Sequence, residues 1–156
     1  MNIYTLHSCI IRSGRGVREA HDAVIARAAR QCGITRPEAD VLLFLSNNPE
    51  LNTARDVARH RGFSKAYVSK AIEPLARKGL LSICTDPRDR RRQLLTITGG
   101  AEIARQLCQE QQRFLRSMAQ GIPEADLEAF MRATEAMCSN AKNYLHEVES
   151  DDGAQK

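Results

Sequence analysis

The sequence predicts a mainly α-helical protein that carries one small β-hairpin, and two observations support this fold class. Apolar residues recur at helical spacing along most of the 156 residues, and helix start signals precede several of those stretches. The pattern changes only after Gly79, where two short apolar runs flank a highly charged connection, as in a hairpin. The length suits one domain or a small two-lobed unit.

The first helix is predicted over about the first 30 residues, where apolar side chains keep helical spacing. Gly14 and Gly16 lie inside this stretch, so we expect a break or kink near 13–16. Gly33 is expected to end the helix as a C-terminal cap. We interpret residues 1–34 as an N-terminal dimerisation helix, because the middle of the chain is too small to cover its apolar stripe.

Two capped helices are predicted next. Thr35 begins the first one, because it forms a capping box with Glu38, and the Asn-Asn-Pro sequence at 47–49 stops it. Thr53 begins a short second helix, and Gly62 marks the turn that closes it. A helix that follows such a turn directly would complete a helix-turn-helix.

The following helix is predicted from Lys65 to about Lys78, with Ser64 as its cap. Pro74 lies inside it and removes the hydrogen bond to the Lys70 carbonyl, so we expect a kink or a shortened helix. The N-terminal half of this helix, near Ser64, should remain helical, because Pro74 is distant from it.

Two short strands, 80–84 and 93–97, then flank the charged connection. Thr98 is expected to start a long helix, which breaks at Gly121 before a last helix. The resulting domain prediction is a winged helix-turn-helix lobe at 35–98, C-terminal dimerisation helices at 99–149 and a disordered tail at 150–156.

The charge distribution is strongly asymmetric. Residues 55–92 contain 11 Lys and Arg against four Asp and Glu, a net charge of +7, so the rest of the chain carries 12 basic and 15 acidic residues, or −3. A basic middle in an otherwise slightly acidic protein is typical of a polyanion-binding module.

The second helix of a helix-turn-helix can lie in the DNA major groove, where its N-terminal residues face the base edges. Hydroxyl and ammonium groups donate to phosphates or purine acceptors, and an alanine can contact a thymine methyl. Capping and solvation alone could explain any single residue of this set. The predicted DNA-binding residues of this helix are Ser64, Lys65, Ala66, Tyr67, Ser69 and Lys70.

The predicted hairpin tip carries more arginines than its acids can pair. A β-hairpin with a free arginine suits the narrow, negative minor groove. Asp86 lies two residues before Arg88, so we expect it to orient that guanidinium through a salt bridge. The predicted DNA-binding residues of the hairpin are Asp86, Arg88, Arg90 and Arg91.

The stretch GLL…DPRDRRRQLLTITGG, residues 79–100, resembles the wing signature of MarR-type winged helix-turn-helix transcriptional regulators, and the helix order matches as well. The resemblance implies a cytoplasmic homodimer that controls transcription at palindromic operators and is commonly released by a small ligand, a metal or oxidation. It also implies that Arg88 enters the minor groove, that Asp86 orients it, and that Ser64–Lys70 is the major-groove face. We therefore expect a repressor that binds double-stranded DNA.

Other functional classes have little support in the sequence. No apolar run is long enough to span a membrane, and the N-terminal residues lack the pattern of a secretory signal. The four histidines are scattered and no nucleophile–base set, phosphate loop or zinc-ligand spacing occurs, so we expect no enzyme, cofactor or metal. An RNA binder is disfavoured because the basic segment has only Phe63 and Tyr67 as stacking aromatics.

The sensing mechanism has three open alternatives: a small-molecule effector, a redox-active cysteine, or no sensing. The candidate effector-pocket residues are His7, Ile11, His21 and Phe44, although a histidine on an apolar face is more often structural. Among the five cysteines, Cys9 is the candidate redox residue, because it is near Arg12 and a chain end, and Cys32 is second. Burial is expected to keep Cys84, Cys108 and Cys138 inert.

Overall fold

A computed structural model of the protein describes the backbone of residues 3–154 and the side chains of residues 8–10 and 12–150. It confirms a mainly helical fold with one two-stranded antiparallel hairpin. The chain divides into two compact units, one reaching Leu115 and one starting at Arg116. The elements are α1 (Ile3–Gln31), α2 (Arg36–Asn47), α3 (Ala54–Arg61), α4 (Lys65–Arg77), β1 (Leu81–Thr85), β2 (Gln93–Ile97), α5 (Ala101–Ala119) and α6 (Glu124–Ala154).

Helix α2 lies at the centre of the first unit and contacts α1, α3, α4 and β2. Its residues 38–45 are all buried, so it has no solvent-facing stripe over that span. The apolar side chains around it come from every other element of the unit, and their burial is the main source of its stability. The largest fully buried apolar side chains are Ile25, Leu42, Leu43, Leu75 and Leu107.

The capping box predicted at the start of α2 is confirmed and has a second use. Glu38 accepts hydrogen bonds from the Thr35 backbone N–H at 2.6 Å and the Thr35 hydroxyl at 2.8 Å. Its other carboxylate oxygen accepts one from the Lys78 ammonium at 2.7 Å, just beyond the end of α4. Burial of Glu38 opposes its charge, but these donors outweigh burial and hold its pKa below the ordinary value. One buried carboxylate thus joins the start of α2 to the end of α4.

The helix-turn-helix forms where the sequence predicts it. Thr53 caps α3 through a capping box with Asp56. Gly62 takes the left-handed conformation, with φ of 67°, that a glycine adopts without steric cost, and so it ends α3. Ser64 then accepts the Tyr67 backbone N–H at 3.1 Å and caps α4. Helix α4 continues through Pro74 to Arg77, so the proline does not end it early.

The hairpin packs its base against the following turn. β1 pairs with β2 in the register Leu81–Ile97 to Thr85–Gln93. The Gly99 and Gly100 backbone N–H groups donate to the Gly79 and Leu80 carbonyls, each at 3.1 Å. A Cβ atom at Gly100 would lie 2.7 Å from the Leu80 carbonyl oxygen, so only glycine fits there.

Three predicted helix boundaries are wrong. Helix α1 has no break at 13–16, because glycine weakens a helix without removing a hydrogen bond. The Arg15–Glu19 ion pair at 2.7 Å also spans Gly16. Helix α5 begins at Ala101, since the Thr98 hydroxyl donates to the Gly79 carbonyl at 3.0 Å and so braces the hairpin. Helix α6 continues to Ala154, so its backbone is helical in the first part of the predicted disordered tail.

The second unit is dominated by α6, which leaves many large apolar side chains in solvent. Phe130 is 69 % exposed, Met131 60 % and Leu145 56 %. None of the helices in the described part of the chain has the length and apolar character that a membrane span requires.

Candidate nucleic-acid interface

The N-terminal half of α4 presents a polar, basic surface. Val68 and Ala71 on its inner face are buried in the core, and this burial orients the helix. The opposite face is open to solvent, so its hydroxyl and ammonium groups are free to meet a ligand. Of the residues predicted to read DNA, Ser64, Lys65, Ala66, Ser69 and Lys70 are exposed.

Tyr67, the remaining predicted contact of this helix, points inward. Its hydroxyl donates a hydrogen bond to the Asp40 carboxylate at 2.7 Å, and its ring packs 4.7 Å from the Phe63 ring. Burial and the Asp40 charge both raise the pKa of Tyr67, so the phenol remains protonated and continues to donate. The Tyr67 hydroxyl is therefore bound to Asp40 in the protein interior and does not face solvent.

The wing tip, residues 86–92, is held by backbone hydrogen bonds to its own aspartates. Asp86 accepts the Arg88 backbone N–H at 2.9 Å, and Asp89 accepts that of Arg91 at 3.0 Å. Asp86 N–H also donates to the Arg92 carbonyl at 2.9 Å and closes the loop. These turns fix the backbone at the tip.

The predicted salt bridge between Asp86 and the Arg88 guanidinium is wrong. Asp86 binds the Arg88 backbone instead, and its carboxylate lies 4.0 Å from Arg92 Nε. Arg92 also reaches Asp56 at 3.9 Å, so it joins the wing to the start of α3. The short spacing from Asp86 to Arg88 favours a backbone turn, because a guanidinium two residues away extends past the carboxylate.

Most cations of the basic segment have no acidic partner. Of the 11 Lys and Arg between 55 and 92, only Arg61, Lys78 and Arg92 form ion pairs within the part of the chain that the structure describes. The eight unpaired cations leave an uncompensated positive field over this face. They are Arg55, Arg59, Lys65, Lys70, Arg77, Arg88, Arg90 and Arg91.

A groove of about 810 Å³ separates the start of α3 from the wing. Arg55 and Arg59 line one wall, and Arg90 and Arg91 line the other. Arg55 and Arg59 were counted in the charge of this segment but were not predicted as site residues. The capped start of α3 was the available signal, since a helix N-terminus beside arginines favours anions.

The candidate effector residues are only partly within the described side chains. Those of His7 and Ile11 lie outside them. Phe44 belongs to the buried core, with its ring 6.1 Å from that of His60. His21 contacts the Gln111 amide at 3.3 Å and the Phe114 ring at 5.9 Å, both on α5. The pocket itself stays a prediction.

The expectation of buried, inert cysteines is wrong for Cys84 and Cys138, which are both exposed, while Cys108 is half-buried. Cys84 occupies an outward position near the end of β1, and Cys138 lies on the open face of α6. Cys9 is exposed, as its candidate role requires. Burial and the nearby Glu102 raise the pKa of the Cys32 thiol, which opposes a reactive thiolate there.

The helix-turn-helix and the two-stranded hairpin together define a winged helix-turn-helix fold. The MarR family model matches residues 33–92, which contain α2, α3, α4, β1 and the wing tip. This segment is therefore similar to the MarR family, and the resemblance noted in the sequence is confirmed.

The comparisons with individual proteins agree. The transcriptional regulator AdcR of Streptococcus pneumoniae is 28% identical over 90 residues, a match that spans 58% of each chain. A MarR family regulator from Listeria monocytogenes, solved with a 26mer DNA, superposes with a TM-score of 0.74 at 17% identity and covers 84% of this chain and 87% of its own.

BpsR of Bordetella bronchiseptica, whose DNA binding is regulated by 6-hydroxynicotinic acid, superposes with a TM-score of 0.63. It is 22% identical and covers 83% of this chain and 98% of its own. At such identities these two structures establish the shared fold. No cluster of three His, Cys, Asp or Glu that could hold a metal ion occurs among the described residues.

Proposed function

We propose that this protein is a sequence-specific DNA-binding transcriptional repressor that acts as a homodimer on a palindromic operator and is released by a small-molecule effector. The observation that carries the proposal is the pair of exposed basic faces at the start of α4 and on the wing tip, whose cations lack acidic partners among the described residues. Such faces match a duplex, in which one phosphate charge occurs about every 1.7 Å.

These two faces suit the two DNA grooves. The exposed start of α4 has the size and position of a major-groove reading helix, with Lys65 and Lys70 beside phosphates. The wing tip projects Arg88 and Arg90 as unpaired cations that suit the narrow minor groove. The relative from L. monocytogenes with a 26mer DNA has this fold, which supports the same use here.

The exposed apolar side chains of α6 support a homodimer. Phe130, Met131 and Leu145 are all more than half exposed, and exposed apolar side chains grouped on one helix are typical of a surface that a second copy covers. The dimerisation roles of 1–34 and 99–149 are part of this proposal. A two-fold axis would then set two recognition helices about 34 Å apart and require an inverted repeat.

Effector release is proposed from one side chain of this protein and one protein of the same fold. His21 is a mostly buried histidine between α1 and α5, and BpsR shows that a protein of this fold can respond to a small aromatic acid. A screen of aromatic carboxylates by thermal shift, followed by competition with operator DNA, tests this part. A ligand that stabilises the protein without weakening DNA binding would contradict it.

The proposed function is tested by selecting duplexes from a random library with the full-length protein. We expect an inverted repeat whose half-sites are about one helical turn apart. Sedimentation should give a dimer at micromolar concentration. A library that shows no enrichment, or an enriched single asymmetric site, would overturn the proposal.

The electrostatic contribution is tested with Lys65→Ala and Lys70→Ala on the selected duplex. Each variant should lower the slope of log affinity against log salt by about 0.9 if the ammonium neutralises one phosphate. Lys142→Ala, an exposed position on α6, removes the same charge and is the matched control. Equal slopes for all four proteins would remove the α4 lysines from the interface.

The alternative sensor is a thiol, and the exposure of Cys9 favours it. Peroxide should then abolish DNA binding by the wild type and spare Cys9→Ser. Cys138→Ser, which also removes one exposed thiol, is the control. Unchanged DNA binding after peroxide excludes this alternative.

A further inference from the structure

Four helices of the first unit meet at one buried carboxylate, Asp40 on α2, which is 1 % exposed. Its Oδ2 accepts the Tyr67 hydroxyl of α4 at 2.7 Å. Its Oδ1 accepts Arg36 Nε at 3.1 Å, and the Arg61 guanidinium of α3 lies 3.9 Å away. A carboxylate this deeply buried is tolerated only because hydrogen-bond donors and cations surround it.

Arg36 extends the contact to α1. Its guanidinium donates to the Asp22 carboxylate at 2.8 Å and to the Asp22 backbone carbonyl. The Asp40 cluster, defined as Asp22, Arg36, Asp40, Arg61 and Tyr67, therefore links α1, α2, α3 and α4. No buried side-chain nitrogen or oxygen in the described part of the chain lacks a hydrogen-bond partner, so the buried polar atoms of this cluster are all paired.

Such a cluster specifies geometry better than it adds stability. Apolar side chains of similar volume often stabilise a core as well as a buried ion pair does. Apolar contacts, however, are non-directional, whereas a hydroxyl bound to a carboxylate fixes both a distance and an angle. The hydroxyl of Tyr67 is the only polar contact of an α4 side chain with α2 before Lys78 among the described residues.

We propose that Tyr67 is a positioning residue of the recognition helix, and that its bond to Asp40 sets the rotation of α4 at which the exposed side chains read DNA. This inference rests on the proposed function. It also changes the predicted role of Tyr67, because the hydroxyl acts through the protein interior and not on a base. The positions whose placement depends on it are Ser64, Lys65, Ala66, Ser69 and Lys70.

The test is Tyr67→Phe in the full-length protein, which removes the hydroxyl and retains the ring packed on Phe63. Thr96→Val removes an exposed hydroxyl from β2, outside the predicted DNA-contact residues and the proposed dimer interface, and is the control. Binding is measured to the duplex that the wild type selects and to a scrambled duplex of equal length. Selection from a random library is repeated with each variant.

We expect Tyr67→Phe to lose about tenfold in affinity for the selected duplex, the size of a lost hydrogen bond to a charged group. Affinity for the scrambled duplex should change less than about twofold, because phosphate contacts do not require exact helix rotation. The selected consensus should weaken at every position read by α4. Thr96→Val should match the wild type in all three measurements.

Several outcomes would overturn the inference. An unchanged ratio of the two affinities would mean that the bond is only structural. A loss confined to one base pair would mean that the hydroxyl contacts that base directly. Both results leave the proposed function intact, whereas a wild type that selects no sequence removes the proposed function and this inference together.

Discussion

Helix α4 presents Lys65 and Lys70 from a backbone whose opposite face is buried in the core. The wing tip presents three exposed arginines, none of which has an acidic partner among the described residues. The helix is oriented by apolar packing and by the Tyr67–Asp40 bond. The tip is oriented by two aspartates that bind the backbone two residues ahead. The cations of α4 are thus positioned by tertiary contacts, whereas those of the wing tip are positioned by local turns.

This difference teaches which changes each region tolerates. An element fixed by burial is disrupted by a cavity far from its exposed face. An element fixed by local turns is insensitive to the core, but it depends on one or two acceptors in its own sequence. Substitutions that separate these two cases are the sharpest tests of the comparison.

The largest expected effect is on stability. Leu75→Ala creates a cavity on the fully buried side of α4 and should lower the free energy of unfolding by about 2–5 kcal/mol. Ile83→Ala in β1 is the matched control, since Ile83 is 40 % exposed, and it should cost less than about 1 kcal/mol. Urea denaturation measures both. Equal losses would mean that the hairpin is held by burial as strongly as α4 is.

The next effect is on DNA affinity. Arg88→Ala should weaken binding to the selected operator by roughly 1–3 kcal/mol, because a minor-groove guanidinium is lost while the fold is retained. Arg77→Ala removes an unpaired, exposed charge at the far end of α4 and controls for net charge. Fluorescence anisotropy at moderate salt compares them. An Arg88→Ala affinity equal to that of Arg77→Ala would remove the wing from the interface.

A smaller effect is expected from the aspartate that shapes the tip. Asp86→Ala loses the acceptor for the Arg88 backbone N–H and should cost about 1 kcal/mol of operator affinity. Asp86→Asn keeps an acceptor oxygen and should retain most of that affinity. Titration of the same duplex distinguishes them. If asparagine is as harmful as alanine, the negative charge of Asp86 matters more than the turn.

The smallest expected effect is a pH dependence of stability, which arises from His21 among the helices and not from the wing. Burial lowers the pKa of His21 below its ordinary 6.5, and the charges of Arg36 and Arg61 lower it further. As the pH falls, His21 therefore binds a proton in the unfolded chain before it does so in the folded protein. The stability present above pH 6.5 is lost as the pH falls through the folded pKa of His21.

Denaturant unfolding from pH 7.5 to 5 measures this loss. His21→Gln should flatten the dependence, while His146→Gln, exposed on α6, should leave it unchanged. A His21→Gln profile identical to that of the wild type would contradict the assignment.

Local signals made much of this fold predictable. The caps at Thr35, Thr53 and Ser64 and the turn at Gly62 depend on residues within four positions, and all of them are confirmed. The basic character of the site was equally readable, because charge is a property of composition. Fold class and the position of the candidate interface therefore followed from the sequence.

Features that depend on distant residues were not readable. The inward direction of Tyr67 depends on Asp40, 27 positions earlier, and Thr98 braces Gly79 instead of capping a helix. The exposure of Cys138 likewise depends on what packs around α6, which helical spacing alone does not reveal. In each of these three cases the outcome depends on residues that are distant in the sequence.

The crowded turn at Gly99 and Gly100 has a consequence for how this protein can change over generations. A methyl group at either position would lie within 2.8 Å of a backbone oxygen, so any residue other than glycine would force the main chain to shift. Mutational drift can alter the wing tip ahead of this pair and the helix behind it. Variants of the wing with new binding preferences are therefore expected to retain both glycines.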